Sequence, residues 1–77
     1  MAKLSKNDIE AWMDEMDELD GRLEMLRNRM AVHLPDKMGT RRSHIEVAMS
    51  GLNVSRKKLR YGQTKLKLLI KGEFSDS

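Results

Sequence analysis

The sequence predicts an all-α fold, an antiparallel helical hairpin of two long helices with coiled-coil-like packing. Apolar residues recur three and four positions apart in each half of the chain, and the single proline separates the two series. The length predicts one domain over residues 1–77. A chain this short buries only about 60% of the surface that its unfolded form exposes. Because it has no cysteine to form a disulfide, we expect it to dimerise with itself into a four-helix bundle.

The first helix is predicted to run from about residue 6 to residue 34. Ser5 and Asp8 have the spacing of a capping box at its start, and Pro35 disfavours helical geometry at its end. The apolar side chains between them follow the a/d pattern of a coiled-coil seam, whose last position is His33. The other seam residues of this helix are Ile9, Trp12, Met16, Leu19, Leu23, Leu26 and Met30. They predict a narrow apolar stripe that packs against another helix.

A short polar turn is predicted at residues 35–41, and a second helix at about 42–71. Gly72 is a natural C-cap for this helix, which leaves a frayed tail at 72–77. A connection of this length makes the two helices antiparallel neighbours.

The start of the second helix has two candidate caps. Ser43 and Glu46 match a capping box, and Thr40 could cap one turn earlier. The seam of this helix consists of Ile45, Met49, Leu52, Leu59, Leu66 and Ile70, interrupted by Arg56 and Gln63.

The two halves of the chain carry opposite net charge. Residues 1–36 contain five Lys/Arg and nine Asp/Glu, a net −4, and residues 37–77 contain ten and three, a net +7. Pairing the two seams gives a register in which facing residue numbers sum to about 75. It places the acidic run at 14–20 beside four basic residues, Arg56, Lys57, Lys58 and Arg60. Either the halves neutralise each other, or the basic half meets an external polyanion.

A second apolar row recurs every seven residues on the opposite face of the second helix. It consists of Val47, Val54, Tyr61 and Leu68. Isolated apolar residues are common on protein surfaces, so one interpretation is that these four residues are simply exposed and have no partner. Alternatively it is a second interface, on which a partner chain packs.

The sequence does not favour catalysis, a metal site or a cofactor. It has two histidines and no cysteine, and neither histidine has a carboxylate at the spacing of a helical metal motif. A two-helix hairpin also offers no cleft that could hold a nucleophile, a base and a small-molecule substrate together. We therefore expect a protein that is not an enzyme.

Nucleic-acid binding is the alternative to protein binding. Gly51-Leu52-Asn53 and the basic run after it resemble the turn and recognition helix of a helix-turn-helix motif, although a continuous second helix is favoured. A basic surface can also bind phosphates without that motif. The candidate anion or partner surface consists of Arg27, Arg29, Lys37, Arg41 and Arg42 near the turn, with Arg56, Lys57, Lys58 and Arg60 in the second helix.

The general form, a small and highly charged helical hairpin without cysteine, is similar to RNA-binding plasmid hairpin dimers and to small phage proteins that disable a host protein. That similarity, of size and architecture alone, implies a non-catalytic regulator or inhibitor that binds a host protein. No run of 18 apolar residues or signal peptide is recognisable, and with no cysteine a cytoplasmic location is expected.

Overall fold

The computed structural model describes residues 3–74, which form two α-helices joined by a short turn. The first helix, α1, spans Lys6–Val32, and the second, α2, spans Thr40–Glu73. They pack against each other along an elongated molecule of 58 × 22 × 15 Å. The all-α, two-helix hairpin predicted from the apolar periodicity is therefore confirmed.

The start of α1 has the predicted capping box. The backbone N–H of Asp8 donates to Ser5 Oγ at 3.2 Å, and the backbone N–H of Ser5 donates to Asp8 Oδ2 at 3.1 Å. At the other end α1 stops at Val32, two residues before the predicted limit, and His33 is its C-cap. The N–H of His33 donates to the Met30 carbonyl at 3.1 Å, so the last turn is tightened before the chain leaves the helix.

Both predicted N-caps of the second helix are wrong, and so is its predicted C-cap. The helix begins earlier, at Thr40, after an N-cap at Gly39 that makes no side-chain hydrogen bond. Ser43 already lies inside it, because its N–H donates to the Gly39 carbonyl at 3.0 Å. Gly72 also lies inside α2, whose C-cap is Phe74. Residues 75–77 of the predicted tail lie outside the described residues.

Helix α2 is continuous through its middle. Residues 51–53 are helical, and the hydroxyl of Ser55 donates to the Gly51 carbonyl at 2.9 Å. The turn that a helix-turn-helix motif requires is therefore absent from α2: the continuous second helix favoured from the sequence is confirmed, and the helix-turn-helix alternative is wrong.

On α2, the predicted seam faces α1. Its six apolar members are partly buried, as are the two polar residues that interrupt them, Arg56 and Gln63. The axial register agrees within one residue with the predicted one: Asp20 contacts Arg56 and Met13 contacts Gln63, so each pair of numbers sums to 76.

On α1, half of the predicted seam does not face α2. Trp12, Leu19 and Leu26 are 46%, 47% and 38% exposed, and His33 is exposed too. The partly buried positions are instead those one residue further along, Met13, Asp20, Arg27 and Leu34. They alternate with four predicted seam residues that do face α2, Ile9, Met16, Leu23 and Met30. Relative to the prediction, α1 is therefore rotated about its own axis.

The polar residues in the seam of α2 explain this rotation. Arg56 Nε donates to Asp20 Oδ1 at 2.9 Å, and Gln63 Nε2 donates to the Met13 carbonyl at 2.9 Å. In the predicted register Arg56 would face Leu19 and Gln63 would face Trp12, and these apolar side chains offer no acceptor for either polar group. A partly buried polar group without a hydrogen bond destabilises the fold. Replacing the line through Leu19 by the line through Asp20, while the line through Ile9 and Met16 stays in place, is a helix rotation of about 50° and supplies the partners.

Candidate functional site

Three apolar side chains of α1 form a line beside the helix interface. Trp12, Leu19 and Leu26 are seven residues apart, so they lie one above the other, and we call them the α1 row. Leu19 shares a shallow groove with Ser55 of α2, which places the α1 row next to a line of small α2 residues. Those residues, also seven apart, are Ala48, Ser55 and Gly62. Together the two lines make one broad, mostly apolar face of the hairpin.

The helices approach closely beneath this face. A Cβ added at Gly62 would lie 2.9 Å from the terminal methyl carbon of Met16. A larger residue there would have to displace the methionine. The absence of a side chain at Gly62 therefore allows α1 to pack close to α2 at this point.

A second apolar surface lies on α2. Val47, Val54, Tyr61 and Leu68, which we call the α2 row, are 69%, 47%, 65% and 55% exposed. Each lies two residues after a seam residue, about 200° around the helix, so the row faces away from α1. The Lys65 Nζ atom is 5.1 Å from the centre of the Tyr61 ring, a cation–π distance. Nothing in residues 3–74 covers this row.

A small ion-pair network lies between the helices. Besides its bond to Asp20, Arg56 reaches Glu24 with 3.2 Å between Nη2 and Oε2, and Arg60 Nη2 is 3.9 Å from Asp20 Oδ2. The hydrogen bond from Arg56 lowers the pKa of Asp20 from 3.8, and partial burial opposes that shift. The same bond raises the pKa of the Arg56 guanidinium. Arg56 and Arg60 are therefore engaged within the chain.

The predicted pairing of the basic run with acidic residues of the first helix holds in part. It is confirmed for Arg56 and Arg60, which contact Asp20. Lys57 and Lys58 are exposed and make no ion pair within the described part of the chain. Of the other predicted acidic partners, Asp17 accepts a hydrogen bond from Gln63 Nε2 at 2.6 Å.

The basic cluster predicted near the turn is smaller than expected. Arg42 is used by the turn itself: its Nε donates to Glu46 at 2.6 Å, and its Nη1 donates to the carbonyls of Pro35 and Asp36 at 3.3 and 3.1 Å. Arg27 lies partly buried on the side facing α2, and its Nε atom is buried without a partner. The outward cations that remain there are Arg29, Lys37 and Arg41.

Among residues 3–74, no three His, Cys, Asp or Glu side chains are grouped so that they could hold a metal ion. Both histidines are exposed. His33 lines a shallow apolar groove at the turn end with Arg29, Met30 and Ile45. The surface features of this hairpin are therefore its two apolar rows and its unpaired cations.

Sequence reasoning missed the second line of α1 that faces α2: it paired Asp20 with the basic run, but it placed Leu19 rather than Asp20 in the seam. A signal was present, because Arg56 and Gln63 stand at seam positions and both need polar partners. Asking which residues of the first helix could supply them would have selected Asp20 over Leu19.

Comparison with known proteins found no matching family model, and no curated protein or solved structure that is significantly similar to this chain. Within the described residues, neither α1 nor α2 has an apolar stretch of the length and hydropathy needed to cross a bilayer.

Proposed function

We propose that this protein is a small, non-catalytic interaction module that forms a homodimeric four-helix bundle and binds another protein. One observation carries the proposal: the hairpin exposes two separate apolar rows, while Ile9 is the single fully buried residue among residues 3–74. An amphipathic helix normally buries its one apolar stripe against its own domain. Continuous apolar surface left outside that stripe is typical of interaction sites.

Self-association supplies the burial that one hairpin lacks. Two helices share a single layer of contacts, and a domain of this size is marginal without oligomerisation, a metal or disulfides. A second copy packed on one apolar row completes a four-helix core. The other row then stays accessible on each protomer for a protein partner, which an apolar helix face recognises through anchors about one or two turns apart.

In this proposal the protein is a small cytoplasmic regulator or inhibitor that acts by occupying a surface of its target. The absence of cysteine suits a reducing compartment. The charged helix flanks keep the apolar rows separate and limit nonspecific association.

Nucleic-acid binding is the second candidate, and the unpaired lysines favour it. Lys57, Lys58, Lys67 and Lys71 are exposed on α2 and make no ion pair in the described part of the chain. Such residues can contact phosphates and release counterions. It ranks second because Arg56 is hydrogen-bonded to Asp20 and Arg60 Nη2 lies 3.9 Å from the same carboxylate.

Capture from native cytoplasm, with and without nuclease, separates the two candidates. The bait is the full chain, and the test variant carries Val54→Gln and Tyr61→Gln in the α2 row. The matched control carries Ser50→Gln and Asn53→Gln, at exposed, uncharged sites on the same helix. We expect a protein that survives nuclease, is retained by the control and is lost with the row variant. Capture that disappears on nuclease treatment would instead support the nucleic-acid candidate.

A further inference from the structure

We propose that the dimer forms by antiparallel packing of α1 against α1 of a second copy, in a register centred on Leu19. This inference rests on the proposed homodimer and adds which face is used and how the copies align. The occupant of the apolar face is therefore a second copy of this chain, and the α2 row is the surface that stays free.

A row of charges beside the α1 row supports this arrangement. Asp8, Glu15, Arg22 and Arg29 are seven residues apart, and the first three each lie one turn before a member of the α1 row. All four are exposed. Asp8 takes part in the capping box, and the others make no ion pair among the described residues.

The order of these charges is acid, acid, base, base. Two antiparallel copies of α1 reverse that order relative to each other, so Asp8 meets Arg29 and Glu15 meets Arg22, on both sides of the two-fold axis. Opposite charges at such flanking positions set partner choice and orientation in paired helices. A parallel pair of α1 helices would place each charge against its own copy.

The apolar row selects the same register independently. In an antiparallel pair centred on Leu19, Leu19 meets its own copy and Trp12 meets Leu26. The charge row has its midpoint between residues 18 and 19, and the apolar row has its midpoint at residue 19. These midpoints differ by half a residue, about 0.75 Å along the helix.

The neighbouring α2 residues allow the second hairpin to approach. Ser55 shares a groove with Leu19 that Leu23, Lys58 and Leu59 also line. Ala48 and Gly62 lie two turns to either side of Ser55 on the same line of α2. Ser55, the central member of this line, lies beside the central member of the α1 row, so the same two-fold axis brings α2 onto the α2 of the second copy. Small residues at such a crossing allow helix axes to approach to about 8 Å. All four helices then share one core.

The test is a charge exchange between two variants, Glu15→Arg and Arg22→Glu. Neither residue has an ion-pair partner within the described part of the chain, so each variant should keep its helicity. Alone, each variant brings like charges together at both symmetry-related contacts, and its dissociation constant should rise at least about tenfold. Mixed in equal amounts, the two variants should form a heterodimer about as stable as the unmodified dimer.

Sedimentation equilibrium measures the mass of the assembly, and the emission of the single tryptophan reports whether the α1 row is buried in it. Trp12 is 46% exposed in one hairpin and would be covered by Leu26 of the second copy, so its emission should shift to the blue as the dimer forms. The matched control is Glu18→Arg, the same charge change at an exposed site on the side of α1 away from α2. It should leave the dimer intact.

The outcomes distinguish this inference from the proposed function. An unmodified chain that stays monomeric overturns both. A dimer that withstands Glu15→Arg and Arg22→Glu, or keeps its tryptophan emission unchanged on dilution, overturns the α1 arrangement and leaves the dimer standing. Variants that dissociate without recovery on mixing would show that Glu15 meets another cation, such as Lys58 of the second copy, and would also overturn it.

Discussion

At the scale of single residues, Arg56 decides how the hairpin is assembled. It occupies a seam position on α2, where an apolar side chain would continue the heptad pattern. Its hydrogen bond to Asp20 requires that residue, rather than Leu19, to face α2. As a result, Leu19 and its neighbours in the α1 row are left on the surface. Arg56, a partly buried cation on the side of α2 that faces α1, is thus the reason why the apolar face of the proposed dimer is exposed.

The pair of Asp20 and Arg56 should give the fold a stability that depends on acid pH. Because folding lowers the pKa of Asp20 from 3.8, its contribution is present above that value and is lost as the pH falls through the lowered pKa. We expect Asp20→Asn to be less stable than the unmodified protein at pH 7 and to lose less stability between pH 4 and pH 2. Thermal unfolding followed by circular dichroism measures both. Parallel curves for the two proteins would contradict this role for Asp20.

Ile9 should be the most sensitive position of the hairpin, because its side chain is fully buried at 0% exposure. Truncating a buried isoleucine to alanine removes apolar contacts and costs roughly 2 to 5 kcal/mol. Met25 is 67% exposed and serves as the control. We expect Met25→Ala to change the free energy of unfolding by less than about 0.5 kcal/mol. Urea unfolding at one fixed protein concentration measures both, and equal losses would mean that the helix phase is misassigned.

At the scale of the elements, the end of each helix depends on its local partners. The Ser5 capping box could be recognised from sequence because both partners lie within one turn of the same helix. The similar pattern at Ser43 is not used, because Arg42 holds the turn by donating to the Pro35 and Asp36 carbonyls. With the turn held there, α2 begins at Thr40. Such a contact across the turn is not visible in the local sequence pattern.

The glycines of α2 offer a test of the continuous helix. A Cβ added at Gly51 meets nothing within 4 Å, so Gly51→Ala should stabilise the protein by about 0.5 to 1 kcal/mol through helix propensity. Gly62→Ala should gain less, because its new methyl group would displace the end of Met16. Chemical unfolding ranks the two variants. Destabilisation by Gly51→Ala would argue against a regular helix at that point.

At the scale of the whole molecule, the basic run of α2 divides into two pairs with separate roles. Arg56 and Arg60 contact Asp20, whereas Lys57 and Lys58 point to solvent. Arg56→Gln with Arg60→Gln should therefore lower the thermal midpoint, and Lys57→Gln with Lys58→Gln should leave it unchanged. Circular dichroism melts of the two double variants measure this.

The same two double variants test the nucleic-acid candidate in a binding assay. Because each phosphate contact releases a counterion, affinity for a labelled duplex or single strand should fall steeply with salt if α2 binds nucleic acid. We expect only weak binding at physiological salt. Micromolar or tighter binding that is lost with the lysine variant, while its helicity and melting midpoint stay unchanged, would reverse the order of the two proposals.

The hairpin could be predicted from sequence because periodicity, the single proline and the opposite charges of the two halves all indicate one topology. The rotation of α1 could not be read from periodicity alone. Two lines of this helix, one through Leu19 and one through Asp20, both alternate correctly with the line through Ile9 and Met16, and the two resulting seams differ by only about 50° of helix rotation. The polar side chains of α2 decide between them. The candidate site depends on that choice, because periodicity alone places the α1 row in the seam between the two helices.

The two helix starts are built differently, and this difference has a consequence for local opening. The start of α1 combines the Ser5 capping box with Ile9, the one fully buried side chain in residues 3–74, whereas α2 starts after Gly39 without any side-chain cap. The ends of an elongated hairpin normally open first, and their amide protons exchange fastest with solvent. Here the free end of α1 is stabilised by its cap and its buried side chain, and the first turn of α2 is the less stable of the two helix starts. Amide exchange should therefore be slower around residues 9–12 than around residues 40–44, so that opening of the hairpin begins beside its turn.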